Sequence, residues 1–381
     1  MELFATKLRD RTPEIPNLAE IRAIAQQHRA TLVQYAQGGD RQLYIWVIKP
    51  DGTIRFHKTD LGNQSLETRL QATRDALNVR GRASIAIVKT QVSPTPPPTG
   101  ENNLRSLHKL LIDPIAADLP TNPEEQVIFL PQGPLFFVPF AALEDAEGKA
   151  LIDRHTLSVA PAIQALALTD RAQQNTKQGA GPALIVGNPT MPTFTNLVLP
   201  PLPGAEKEAK AIAPLLATQA LVGGGATKAV VLRQMLEARV IHLATHGLLD
   251  TVRGEVPGAI ALAPSNAQDD GLLSAGEIAE LQLKADLVVL SACSTGKGDL
   301  TGDGVVGLSR SLFLAGVPTV VVSLWDVSDD STALLMTAFY RHLAQKKLNK
   351  AQALRQAMLT TRLKYPDPKL WAAFNLLGEF D

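Results

Sequence analysis

The chain has 381 residues, 45% of them hydrophobic, with 37 basic side chains against 37 acidic ones. That length gives room for two compact units or one elaborated α/β unit, and the balanced charge without a basic block excludes a nucleic-acid electrostatic footprint. No apolar run is long enough to span a membrane, charge enters at Lys7, Arg9 and Asp10 too early for a secretory signal, and the single cysteine excludes an intrachain disulfide or a cysteine-based zinc site, so a reducing cytoplasm is expected.

The first element is a helix over Asn17–Arg29, with Leu18, Ile21, Ile24 and Ala25 on one face. Thr31–Tyr35 reads as a strand. Leu43–Ile48 and Thr53–Phe56 read as a hairpin, because Lys49-Pro50-Asp51-Gly52 is strong turn chemistry. Ser93–Gly100 is proline-rich and reads as a stiff exposed loop. A helix is expected near Leu104–Ile112, and short strands over Gln126–Leu130 and Leu135–Phe140. This front part is β-rich and offers no evident chemistry.

The rhythm then changes to apolar runs alternating with helix-period segments. Strands are expected over Ala183–Val186, Val240–Thr245, Leu287–Ser291 and Thr319–Leu324. Helices are expected over Ala205–Leu216, Lys228–Leu236, Ala275–Leu281, Val305–Leu314 and Ser331–His342. This alternation predicts an α/β fold with a mostly parallel sheet flanked by helices. The polar, glycine-ended run between Thr169 and Pro182 marks the expected boundary. The expected units are residues 1–30, an N-terminal helical extension; 31–175, the front part; and 180–381, the part carrying the chemistry.

Open parallel sheets bind ligands beyond the carboxyl ends of their strands. Three apolar strands end in Thr245-His246-Gly247, in Ala292-Cys293-Ser294 and in Leu324-Trp325-Asp326. Imidazole, thiol and carboxylate are thus brought to one sheet edge. A thiol with a pKa of about 8.5 is mostly protonated at neutral pH, so a cysteine nucleophile needs a base, which His246 supplies. Gly247 lets backbone approach a substrate closely, and the N–H groups of Gly247 and Cys293 are the expected oxyanion hole. Cysteine is often an inert core residue. A place at a strand end, before a Ser-Thr-Gly loop, favours the working thiol. His242, in mid-strand, reads as a satisfied core histidine, and a zinc site from His242 and His246 is disfavoured because residues four apart on a strand lie roughly 13 Å apart. Gly298–Gly304 lacks the alternating acidic ligands of a calcium loop and reads as a glycine-rich loop. Gly223–Gly225 reads as a turn. No metal or cofactor is expected.

These motifs, in order, resemble the CHAT domain, a caspase-like peptidase domain found behind tetratricopeptide repeats. The resemblance rests on Val240–Gly247, Leu290–Gly296, Ala315–Pro318 and Ser323–Asp326. Phe129–Leu135, Val138–Leu143 and Leu202–Glu206 match further upstream. Thr245-His246-Gly247 is similar to the caspase Ser-His-Gly, and Ala292-Cys293-Ser294 to the segment around the caspase nucleophile, with Ser294 where caspases have arginine. The 47-residue spacing (293 − 246) agrees with the roughly 50 expected. Ser323-Leu324-Trp325-Asp326 is similar to separase, whose acidic group at this strand end reads a basic P1 residue. The resemblance implies a caspase-like fold, with residues 31–175 as a pseudo-protease-like part. It implies cysteine endopeptidase activity after Arg or Lys on a protein or peptide substrate, with Asp326 as the P1 reader. It also implies a tetratricopeptide-repeat region or partner, the Asn17–Arg29 helix being what remains of that junction. The alternative is a catalytically silent signalling or scaffold module of the same fold, which would have no need to keep both Cys293 and His246.

Overall fold

The computed structural model describes residues 16–39, 41–77, 103–176, 181–195, 197–248, 258–291, 302–325, 327–346 and 348–381, with side chains 171, 174–176, 302–306, 345 and 346 left out. The proline-rich run Ser93–Gly100 lies outside the described residues. So does the loop part of Gly298–Gly304, whose last residues, from Gly302, open a helix.

Helix α1, Leu18–His28, starts at Asn17 with a capping box: Asn17 accepts from the Ala19 and Glu20 N–H groups, and Glu20 reaches back to the Asn17 N–H. It ends at Arg29 in the left-handed conformation. Ala25 and His28 are buried, Ile21 and Ile24 half-buried, and Leu18 is exposed, so the expected apolar face is realised except at its first residue. Then come β1 (Ala30–Gly38), β2 (Gln42–Ile48), β3 (Ile54–Asp60), α2 (Leu66–Ala76), α3 (Asn103–Leu111), β4 (Gln126–Leu130), α4 (Leu151–Arg154), β5 (Thr156–Val159) and α5 (Ile163–Thr176).

Leu135–Phe140 is not a strand. It forms 3-10 turns, Gly133–Phe137 and Phe140–Ala142, because Pro134 and Pro139 carry no N–H for a ladder and Gly133 takes a positive φ. A short apolar run satisfies either conformation. Helix α5 also runs into the polar segment expected to be a linker.

The rear part comprises β6 (Ala183–Pro189), α6 (Pro203–Ile212), β7 (Ala220–Gly223), α7 (Lys228–Met235), β8 (Val240–Ala244), β9 (Gly247–Leu248), β10 (Ala259–Ala261), β11 (Leu272–Ser274), α8 (Ala275–Glu280), β12 (Leu287–Leu290), α9 (Gly302–Leu314), β13 (Thr319–Ser323), α10 (Asp329–Lys346), α11 (Lys350–Lys364) and β14 (Phe374–Gly378). The expected turn follows β7 at Gly224 and Gly225.

Among the described residues eleven strands form one sheet, in the order β3-β2-β1-β4-β5-β14-β13-β12-β8-β6-β7. Within β1-β4-β5-β14 and within β13-β12-β8-β6-β7 the strands are parallel; β14 and β13 meet antiparallel. The carboxyl ends of the two blocks therefore face opposite edges. Alternating side chains split the rear block between two cores. Ile185, Val289 and Val321 pack with α6, α10 and α11, whereas Val186, Leu243, Val288 and Val320 pack with α7, α8 and α9. Both faces are covered, which is why these strands read as unbroken apolar runs.

The front and rear blocks are clasped at β14. Gly378, at φ +87, has the Pro318 carbonyl 2.2 Å from where a Cβ would sit. The next residue, Glu379, is buried; His28 Nδ1 of α1 lies 3.4 Å from its Oε2, and Thr169 Oγ1 of α5 donates to its Oε1 at 2.8 Å. Burial pushes the Glu379 carboxyl up to about 7, against the Thr169 hydrogen bond and the Lys350 charge, with Asp170 and Asp381 reinforcing the rise. The same burial holds His28 below its ordinary value. A raised carboxyl costs stability as pH rises: below about 4.5 folded and unfolded chains are both protonated, and between there and about 7 only the unfolded chain loses its proton. His28 works in the opposite sense, losing stability as pH falls below 6.5, and is present in wild type and in a Glu379→Gln variant alike. Glu379→Gln is accordingly expected to gain about 3 kcal/mol over wild type above pH 7 and nothing below pH 4.5 in urea unfolding. A glutamine variant less stable than wild type at pH 8 would contradict this.

Candidate active site

The rear block places three strand ends side by side. Parallel β8 and β12 are in register Leu243↔Leu290, and β12 and β13 in register Leu290↔Val322. His246 lies three residues beyond Leu243, and Cys293 three beyond Leu290 in the sequence. The sequence offset between His246 and Cys293 is thus the register offset of their strands. Cys293 itself and Asp326 lie outside the described residues; His246 and Gly247 lie within them.

His246 is 1% exposed. Its Nε2–H donates to the Pro200 carbonyl oxygen at 2.7 Å. A carbonyl only accepts, so Nε2 carries the proton in the neutral ring and Nδ1 is the basic nitrogen. Its main chain is held by the small sheet β11-β10-β9: the Ala261 N–H donates to the His246 carbonyl at 2.9 Å, and Thr245 Oγ1 donates to the Ala261 carbonyl at 2.7 Å. That pairing also orients the next residue. Gly247 opposes Ile260, and with Ala261 donating to His246 this is a non-hydrogen-bonded pair of the ladder. The Gly247 N–H therefore points away from β10.

The Pro200 carbonyl was not legible in the sequence, since a backbone acceptor carries no side-chain signature. It comes from the loop between β6 and α6. Ahead of it, within β6, Gly187 allows α6 to lie close: a Cβ there would stand 2.5 Å from the Ala205 carbonyl oxygen and 2.5 Å from Ala209 Cβ. Near its end, Leu199 packs with Leu248, Ala259, Ala261 and Leu272.

The end of β13 is fixed from two sides. The Leu324 N–H donates to the Ala373 carbonyl at 2.7 Å, and the Trp325 indole to the Lys369 carbonyl at 2.9 Å. The buried Arg74 of α2 brings Nη1 to 3.5 Å from the Leu324 carbonyl and lies over the Phe137 ring. The front part thus touches the strand that leads to Asp326. Helix α10 begins at Asp329, and the Thr332 N–H donates to the Ser328 carbonyl, which makes Ser328 its N-cap.

His242 is a core histidine, as expected. It is fully buried, with Nε2 2.9 Å from Glu208 Oε1 and Nδ1 3.2 Å from the Tyr340 hydroxyl. Both ring nitrogens are engaged, so it has no lone pair to share with His246. Among the described residues no three His, Cys, Asp or Glu side chains cluster as metal ligands, and no helix is long and apolar enough to cross a membrane.

The chain is 28% identical over 385 residues to Tetratricopeptide repeat protein 28 of Homo sapiens and over 379 residues to that of Mus musculus; each match takes in 87% of this chain and 15% of the relative. The chain thus spans about one seventh of the length of these relatives. A chain of the Saccharomyces cerevisiae separase–securin complex superposes with a TM-score of 0.56 at 11% identity, covering 94% of this chain and 30% of that one. The fold is shared with that structure: a mostly parallel sheet flanked by helices, of the caspase-like kind. The CHAT domain family model matches residues 101–379, well over half of the sequence, and the chain belongs to the CHAT domain family.

Proposed function

We propose that this chain is a cysteine endopeptidase of the caspase and separase type, with Cys293 as nucleophile and His246 as general base. The observation that carries this reading is the register: strands β8 and β12 pair with the same offset that separates His246 from Cys293. Adjacent parallel strands are about 4.8 Å apart, which suits contact between an imidazole and a thiol carried at equal height.

The chemistry follows from the tautomer. Nδ1 of His246 takes the thiol proton, and the thiolate attacks the scissile carbonyl carbon to form a C–S bond. The oxyanion that develops is met by the N–H groups of Gly247 and Cys293. As the C–N bond breaks, the Nδ1 proton passes to the leaving amine, and water then hydrolyses the thioester. The positive charge on the ring is shared with the Pro200 carbonyl through Nε2–H. Asp326 is our reader of a P1 Arg or Lys. The alternative use of this carboxylate, capping α10, is weakened because Ser328 already holds the cap position. A protein or peptide substrate and a tetratricopeptide-repeat partner or region follow from the family, and a lone catalytic thiol suits the reducing cytoplasm.

The test is covalent labelling with an arginyl chloromethyl ketone, followed by peptide mapping. A single adduct on the Cys293 peptide is expected in wild type and none in Cys293→Ala, with slower labelling in Asp326→Asn. A silent scaffold would give no adduct in either protein. Faster labelling by an aspartyl reagent would remove the basic-P1 assignment and leave the dyad.

A further inference from the structure

The geometry points to Asn188 as the positioning residue for His246, acting through the backbone of Leu202 and the carbonyl of Pro200; this rests on reading His246 as the base. Asn188 is the penultimate residue of β6, on the same sheet edge as His246, one residue beyond the pair Gly187↔Ala244 and at a register shift in the pairing with β7. Its φ is +45, a left-handed conformation that ordinary side chains avoid and asparagine tolerates best after glycine. A residue in such a conformation at a strand end needs a reason, and its side chain supplies one. Asn188 Oδ1 accepts from the Leu202 N–H at 2.7 Å, and Nδ2 donates to Glu206 Oε2 at 3.2 Å. The other Glu206 oxygen accepts from Lys210 Nζ at 2.6 Å, so the amide is held from both ends.

The run Pro200-Pro201-Leu202-Pro203 has one backbone N–H among its four residues, that of Leu202. Asn188 takes it. Three prolines with φ fixed near −65° make the run stiff, so anchoring Leu202 also anchors the carbonyl two residues earlier. That carbonyl, at 2.7 Å from Nε2, sets both the ring plane and the tautomer of His246. Asn188 bonds to Leu202 and Glu206 and acts by holding the acceptor in place. Without it, the run has no other backbone donor with which to tie itself to the sheet.

The test reads the ring directly, so it does not depend on turnover. Full-length protein is labelled with ring-nitrogen-15 histidine, and the His246 signals are assigned by their loss in His246→Ala. Wild type is expected to show a single Nε2–H tautomer. Asn188→Gly keeps the positive φ at no steric cost and removes the acceptor; it is expected to give mixed tautomers. Asn188→Asp, combined with Glu206→Gln to avoid facing carboxylates, keeps the acceptor and is expected to restore the wild-type spectrum. Wild-type nitrogen shifts in Asn188→Gly overturn the assignment. So do mixed tautomers in the Asn188→Asp, Glu206→Gln protein, which decides the matter should the glycine variant fail to fold. On peptide turnover, Asn188→Gly is expected to lower kcat about 10- to 100-fold with KM little changed, as misplacement of a catalytic group does. Altered tautomers with unaltered turnover would keep the latch and reject His246 as the base, so the two failures are distinguishable.

Discussion

Cys293→Ala is expected to abolish peptide cleavage, and His246→Ala to lower kcat by at least about 10⁴-fold, with no further loss in the double variant. The non-additivity follows from nucleophile and base acting as one unit. The two single variants should differ in stability. The thiol is small, and its removal should leave the melting temperature close to wild type. His246 is 1% exposed and bonded to Pro200, so its loss opens a cavity and frees a carbonyl, at about 1–3 kcal/mol. Hydrolysis of a fluorogenic arginyl peptide, read beside thermal melting, separates chemistry from folding. Wild-type turnover in Cys293→Ala would end the cysteine mechanism, since the chain has no second cysteine to replace it.

Glu208→Ala is expected to cost about 3–5 kcal/mol of folding stability, the largest loss among the buried polar groups considered. Glu208, His242 and Tyr340 are 3%, 0% and 1% exposed and joined through the imidazole. Burial, reinforced by the Glu208 charge, pushes the Tyr340 phenol well above its ordinary value. Removing Glu208 leaves the His242 Nε2 without its partner inside the core and creates a cavity between α6 and β8. Removing one member strands the other, whereas exchanging both Glu208 and His242 for leucine should recover much of the loss. Tyr340→Phe should cost only about 1 kcal/mol. Urea unfolding of the four proteins tests this. Equal stability of Glu208→Ala and wild type would mean that water satisfies the histidine.

Strands β6, β8, β12 and β13 were legible because burial on both faces leaves little but Val, Leu and Ile, as in Leu287–Leu290 and Thr319–Ser323; the half-buried edge strand β7 was not read. The role of His242 was legible from its place inside such a run. Leu135–Phe140 failed because apolar composition outweighed Pro134 just before it and Pro139 within it. Strand β14 and helix α11 were not read at all: β14 carries Asn375 and Gly378 in an otherwise apolar stretch, and α11 has a mixed rather than periodic pattern. The candidate site could be read where a side chain marks it and was silent where it is made of backbone. His246 stood out at its strand end, while the Pro200 carbonyl and the direction of the Gly247 N–H depend on loop packing and ladder phase, which no residue type encodes.

The central place of β14 bears on how the molecule is made. It lies between β5 and β13, yet it follows every other described strand in the sequence. During synthesis the two parallel blocks can collapse separately, but each presents an unpaired, apolar edge until Phe374–Gly378 emerges from the ribosome. Closure joins residues distant in sequence, β5 to β14 above all, and such long-range pairing is slow. The nascent chain is therefore most vulnerable to strand-edge association in the interval before β14 arrives, and the sheet that carries the candidate site is completed from its middle, not from its rim.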